Sequence, residues 1–152
     1  FKPYLFKTTD YGKSWKSINR GIKSDAFTRV VREDKEKEGL LYAGTETGMY
    51  VSFIGGSNWQ PFQLTLPITP ITDLVVKDND LVVATQGRSF WILDDLTPLH
   101  QLTSSVAKSG SFLYRPRDTH RLPGGGGWGG PPPASGANPP KGVMACYYLN
   151  ND

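Results

Sequence analysis

The chain has one cysteine, Cys146, and two histidines, His100 and His120, among its 152 residues. A lone thiol forms no internal disulfide, and Cys146 has no His or Cys neighbour with which to build a metal site. The same scarcity excludes a Ser/His/Asp catalytic set, because both histidines fall outside the expected strands. No apolar run approaches the roughly 20 residues that a spanning helix needs, so no membrane span is expected. The excess of Ala, Leu, Glu and Lys that marks helical proteins is also missing. The chain opens at Phe1 with neither a methionine nor a charged-then-apolar leader. We expect no signal peptide here, and we read the chain as a piece of a longer protein.

Charge excludes a further class. Lys+Arg and Asp+Glu balance at twelve each over residues 1–102, and the net charge of +3 comes from the remainder. Between 103 and 141 there are five basic residues, Lys108, Arg115, Arg117, Arg121 and Lys141, against Asp118. Such a sparse tail is not the basic, aromatic-interleaved stripe of a nucleic-acid binder, so no nucleic acid partner is expected. The glycines at 124–127 and 129–130 have neither a strand before them nor a helix after them, which excludes a phosphate-binding loop. No cofactor and no metal are expected.

What is abundant is turn and aromatic chemistry: 17 Gly, 12 Pro and 18 aromatic residues (4 Trp, 7 Tyr, 7 Phe). That composition suits an all-β chain of strands and turns, with length enough for one ordinary core. The chain is organised around Thr8-Thr9-Asp10-Tyr11-Gly12-Lys13-Ser14-Trp15. Strands expected over 4–7 and 15–18 flank it, so it reads as the turn of a hairpin. Asp10 can turn its carboxylate onto loop amides, Gly12 can take a positive φ, and Thr8 can add a hydroxyl hydrogen bond. Trp15 restarts the apolar side of the strand and covers the turn with its ring.

Further along, strands are expected over 27–31, 40–45, 48–52 and 59–62, with a mixed-charge run at 33–39 read as a solvated hairpin tip. The turn pattern returns at 52–59 with Ser52, Gly56 and Trp59 kept and Ile54 in place of the aspartate. Trp15 and Trp59 are 44 positions apart, the period of a four-stranded repeat unit. A third unit is expected over 71–102, with strands at 71–76, 81–84 and 89–93. It aligns with the second at an offset of 41, which sets Ala43 against Ala84, Met49 against Phe90 and Tyr50 against Trp91. Its turn keeps Asp95 and has lost the glycine to Thr97 and the tryptophan to His100, a turn or outer-strand residue on this reading.

The Thr8-x-Asp10-x-Gly12-x-x-Trp15 pattern resembles the Asp box of the bacterial neuraminidase (BNR) repeat proteins. In that family the box is a structural turn between the outer strands of β-propeller blades. Residues 1–102 as a whole resemble the C-terminal blades of the secreted bacterial proteins described as BNR-repeat or sortilin-like propellers, often labelled glycosyl hydrolases. The resemblance implies about two and a half four-stranded blades: a half blade at 1–18, a blade at 27–62 and a blade at 71–102. It implies a low-complexity linker at 103–137 and the first strand of a truncated immunoglobulin-like domain at 138–152. It also implies the remaining blades of a parent propeller as partners and an extracellular or periplasmic location.

Neither the arginine triad of sialidases nor the facing aspartates of xyloglucan-active relatives can be placed on this sequence. A glycosidase needs two carboxylates about 5–10 Å apart, and the candidates are Glu46, Asp73, Asp94 and Asp95. Asp94 and Asp95 are consecutive, so on a strand they point to opposite faces. Glu46 and Arg88, on turns leading into third strands, are the residues that could reach a ligand face. Two functions of different class remain open. One is a scaffold or ligand-binding module for a peptide or glycan; the other is part of a glycoside hydrolase whose catalytic carboxylates lie outside this chain.

Overall fold

A computed structural model describes residues 2–119 and 142–150, and the protein is all-β. The described residues divide into two units at Leu93/Asp94. The expected low-complexity stretch at 122–133 lies outside the described residues.

The first unit holds three sheets. A short hairpin pairs β1 (Phe6–Lys7) with β2 (Lys16–Ser17). A four-stranded antiparallel meander follows: β3 (Thr28–Glu33), β4 (Leu41–Thr45), β5 (Met49–Ser52) and β6 (Gln60–Pro61). A three-stranded meander completes it: β7 (Ile71–Lys77), β8 (Asp80–Thr85) and β9 (Phe90–Leu93). The strands fall where the two-residue alternation of apolar side chains predicts them, because each sheet must bury one face or both.

β4 shows how the sheets are arranged. All five of its residues are buried, so both of its faces are covered. Leu41 and Ala43 face a core of Leu5, Ile18, Ile22, Ala26, Tyr50 and Trp59, which joins the hairpin and its connection to the second sheet. On the opposite face β7 packs against β3 and β4. Both larger sheets bear an irregularity at the same place in their first strand, between Thr28 and Val30 and between Ile71 and Asp73.

The repeat is exact in its outer half. Phe6 pairs with Ser17 and Lys7 with Lys16; 44 residues on, Tyr50 pairs with Pro61 and Val51 with Gln60. The Ile18 amide donates to Leu5 O at 2.9 Å, and the Phe62 amide to Met49 O at 2.8 Å, again 44 apart.

The 41-residue alignment of the third sheet holds for β9 and shifts in β8. Gly44 pairs with Met49 and Ala84 with Phe90, so Ala84 is the counterpart of Gly44, and Val83 that of Ala43. The loop 86–89 is one residue longer than the loop 46–48, and that residue displaces the register. The β7–β8 turn is shorter than its counterpart because Asp78 and Asn79 take φ of 49° and 69°, the paired left-handed residues of a two-residue hairpin.

Two further expectations change. The third unit, expected to run to 102 with His100 in a turn or outer strand, has three strands, and the segment that follows forms the short helix α1 (Thr97–Gln101). Pro98 stands in its first turn, where the missing N–H costs nothing, and the glycine and tryptophan that shape the other turns are gone. His100 therefore sits in a helix. The tip at 33–39 is not wholly solvated either. Asp34 is buried, and its Oδ1 accepts from the Glu36 and Lys37 amides at 2.8 and 3.1 Å.

In the second unit β10 (Ser111–Leu113), expected within the linker, pairs antiparallel with β11 (Tyr147–Leu149). A single 3-10 turn, Val106–Lys108, precedes it, and Tyr148 Oη donates to Ala107 O at 3.1 Å. The Gln101 amide group donates to Arg115 O at 2.8 Å and accepts from Arg115 N at 2.9 Å, which ties α1 to the end of β10.

Candidate functional site

The Thr8–Trp15 turn is a closed hydrogen-bond network. Thr8 Oγ1 donates to Asp10 Oδ1 at 2.8 Å and accepts from the Gly12 amide at 2.8 Å. Asp10 Oδ1 also accepts from the Ser14 amide at 2.9 Å, and Oδ2 accepts from Ser14 Oγ at 2.6 Å. Gly12 has a φ of 87°, a conformation that disfavours side chains. Trp15 Nε1 donates to Gly12 O at 3.1 Å, which lays the ring over the turn. The Ser14 hydroxyl and amide, followed by the Thr8 hydroxyl, hold the Asp10 carboxyl down at about 2, against an ordinary value of 3.8. Both carboxylate oxygens are committed to the turn, an arrangement suited to fixing a loop.

The turn at Ser52 reproduces this geometry without the carboxylate. Ser52 Oγ accepts from the Ile54 and Gly56 amides at 3.4 and 3.1 Å, as Thr8 Oγ1 accepts from Asp10 and Gly12 at 3.4 and 2.8 Å. Gly55 and Gly56 have φ of 55° and 83°; Tyr11 and Gly12 have 57° and 87°. The backbone path is thus shared. What differs is the tryptophan: Trp59 is 2% exposed and donates from Nε1 to Ile18 O at 2.6 Å, whereas Trp15 is 62% exposed. Asp95 serves another purpose, its Oδ1 accepting from the Thr97 amide at 3.1 Å where α1 begins.

Of the two candidate ligand-face residues, Glu46 is engaged within the protein. Arg29 meets its Oε2 at 2.6 Å and lies over the Phe27 ring, 5.1 Å from the centroid. Arg88 is exposed, and its carbonyl accepts from Trp91 Nε1 at 2.8 Å. The structural counterpart of Glu46 is Gln86, since their amides donate to Phe27 O and Pro70 O at 3.1 and 2.9 Å. Glu46 and Arg88 therefore occupy different positions in the repeat. Asp73 is paired with Arg32 at 2.7 Å. Among the described residues no group of three or more His, Cys, Asp or Glu side chains could hold a metal ion, and no helix is long and apolar enough to cross a membrane.

No protein-family model matches the chain, and no curated protein is significantly similar to it.

Two features escaped sequence reasoning. Tyr42 Oη donates to Asp34 Oδ2 at 3.0 Å inside the second sheet, and burial, reinforced by the Asp34 charge, pushes the Tyr42 phenol well above its ordinary value. An aspartate inside a charge run looks solvated, and only the fold brings Tyr42 to it. The second is the open face of the third sheet, where Val75, Phe90 and Ile92 are 46, 76 and 58% exposed. The counterparts of Phe90 and Ile92 on the second sheet, Met49 and Val51, are buried, and that of Val75 is Arg32, so three apolar side chains lie in water where alternation alone expects a buried face. The hairpin at the other end of the unit is open in the same way, with Phe6 and Trp15 exposed.

Proposed function

We propose that this chain is a run of repeat units from a β-propeller of the BNR, or Asp-box, kind, and that it acts as scaffold in a peptide- or glycan-binding module of a secreted protein. One observation supports this most: turns 44 residues apart share backbone angles, hydroxyl-to-amide hydrogen bonds and strand register. Propellers are built by repeating a four-stranded meander whose faces stack on the next. The second sheet, covered on both faces between a half unit and a further sheet, has that arrangement.

Candidate carboxylates of this chain are engaged within it, which supports a scaffold role for the chain itself. Glu46 and Asp73 are held in ion pairs, and Asp95 is spent on the start of α1. A glycosidase would need two of them facing an open cleft. In this reading ligand contacts belong to the loops between second and third strands, where Arg88 is exposed.

The test compares circular dichroism melts of this chain and of the chain extended by further repeats of the same sequence. The extended protein should melt in one transition above that of the chain alone. A sharp monomeric melt of the chain, unchanged by extension, would overturn the reading.

A further inference from the structure

Trp15 and Trp59 hold the same place in the repeat and sit in opposite surroundings. Trp59 is buried against Leu5 and Ile18, and its indole N–H reaches out of its own sheet to the Ile18 carbonyl at 2.6 Å. Trp15, in a turn of the same backbone conformation, folds its N–H back onto Gly12 O at 3.1 Å. Their neighbours differ likewise: Tyr50 is 5% exposed, and Phe6, 44 residues earlier, is 53% exposed. Local conformation does not explain the contrast, because it is shared. The difference lies in the covering partner, which for Trp59 and Tyr50 is the β1–β2 hairpin.

We propose that Phe6 and Trp15 form a docking face for the outer hairpin of a preceding unit of the same repeat. On docking, the Trp15 indole N–H leaves Gly12 O for the main-chain carbonyl that ends that hairpin's second strand. This rests on the propeller reading above. The occupant is specified by the interface already present: an apolar side chain at the position of Leu5, and a carbonyl at the position of Ile18. Docking there continues the same stack by one unit. The β7–β9 sheet of a second copy does not meet this requirement, since it has three strands and no counterpart of β2. Burying two aromatic side chains provides the driving force, and exchanging one carbonyl acceptor for another keeps the indole donor satisfied.

The test extends the full chain at its start by a duplicate of its own first 44 residues, one repeat. The original hairpin then becomes the third and fourth strands of a complete sheet. Hydrogen exchange of the Trp15 indole N–H is followed by NMR in both proteins, with assignment by Trp15→Phe. In the extended protein exchange should slow to the rate of Trp59. Trp15→Phe should lower the melting temperature of the extended protein by more than that of the original chain, where only the exposed bond to Gly12 O is lost. If the extended protein melts in one transition while the Trp15 indole exchanges as freely as before, the docking face is refuted and the repeat reading stands. If it does not melt as one unit, the propeller reading falls and the docking face with it. Should the original chain self-associate in sedimentation experiments with Trp15 protected, a second copy is the occupant and the proposal is overturned.

Discussion

Gly44 on β4 lies directly beneath Ile71 on β7: a methyl group added to Gly44 would come within 2.6 Å of Ile71 Cγ2 and 2.8 Å of Val30 Cγ1. The second and third sheets approach as closely as they do because this position has no side chain. Gly44→Ala should therefore destabilise the protein by about 1–3 kcal/mol, the usual cost of overpacking. Ile71→Ala alone should cost about 2–5 kcal/mol through the cavity it leaves. Denaturant melts of the double variant should show less loss than the sum, since each change relieves the other.

The two related turns make a transplant possible. Ile54 is 70% exposed at the position that Asp10 holds in the first turn, and Asn58 stands where Ser14 does. Ile54→Asp should supply a carboxylate acceptor for the Asn58 amide and raise stability by about 1 kcal/mol. NMR titration should find the new carboxyl below the ordinary aspartate range. Ser52→Ala, by contrast, removes the buried acceptor of the Ile54 and Gly56 amides and should cost about 1–3 kcal/mol in the same melts.

Asp10 gives the first turn an acid dependence. Its folded value of about 2 lies below the ordinary 3.8, so the unfolded chain binds the proton more readily. Its stabilisation is complete above the unfolded value and is lost as the pH falls through about 2. The stability difference between the native chain and Asp10→Asn should be constant from neutral pH down to about 5 and shrink below about 4. A difference that persists unchanged at the lowest pH would separate Asp10 from this role.

Tyr42 acts at the other end of the scale. Burial and the adjoining Asp34 charge keep its phenol neutral, so its contribution is complete below about 10 and falls as the pH rises further. Ultraviolet titration should show Tyr42 ionising only with alkaline unfolding. Tyr42→Phe leaves Asp34 Oδ2 without its phenolic donor and should cost about 1.5–3 kcal/mol at neutral pH, a gap that narrows in alkali.

Strand positions were legible because alternation is a local property, and the Trp15–Trp59 spacing marked a returning turn whose shared hydroxyl acceptors only the structure shows. The slip of Ala84 from Ala43 to Gly44 was not legible. A single extra residue in the loop 86–89 changes pairing without changing the composition of either strand. The α1 helix was hidden by a surviving aspartate: Asp95 looks like Asp10 in the alignment, yet with Pro98 nearby it starts a helix. The β10–β11 pairing was hidden because its strands are 33 residues apart, from Leu113 to Tyr147 with Asp118 and the glycine run between, and nothing local marks such partners. Asp34 shows the same limit for a side chain, since its burial depends on Tyr42 reaching it from β4.

The two uncovered faces of the first unit are unlike: one presents Phe6 and Trp15 beside a hairpin turn, the other Val75, Phe90 and Ile92 across three strands. Were a second copy's β7–β9 face to take the place of the hairpin proposed above, the contact would have no two-fold axis and would leave a free face at each end. Association of that kind is heterologous and does not stop at a dimer. Its signature would be concentration-dependent elongation, with light scattering that keeps rising where a symmetric pair would saturate.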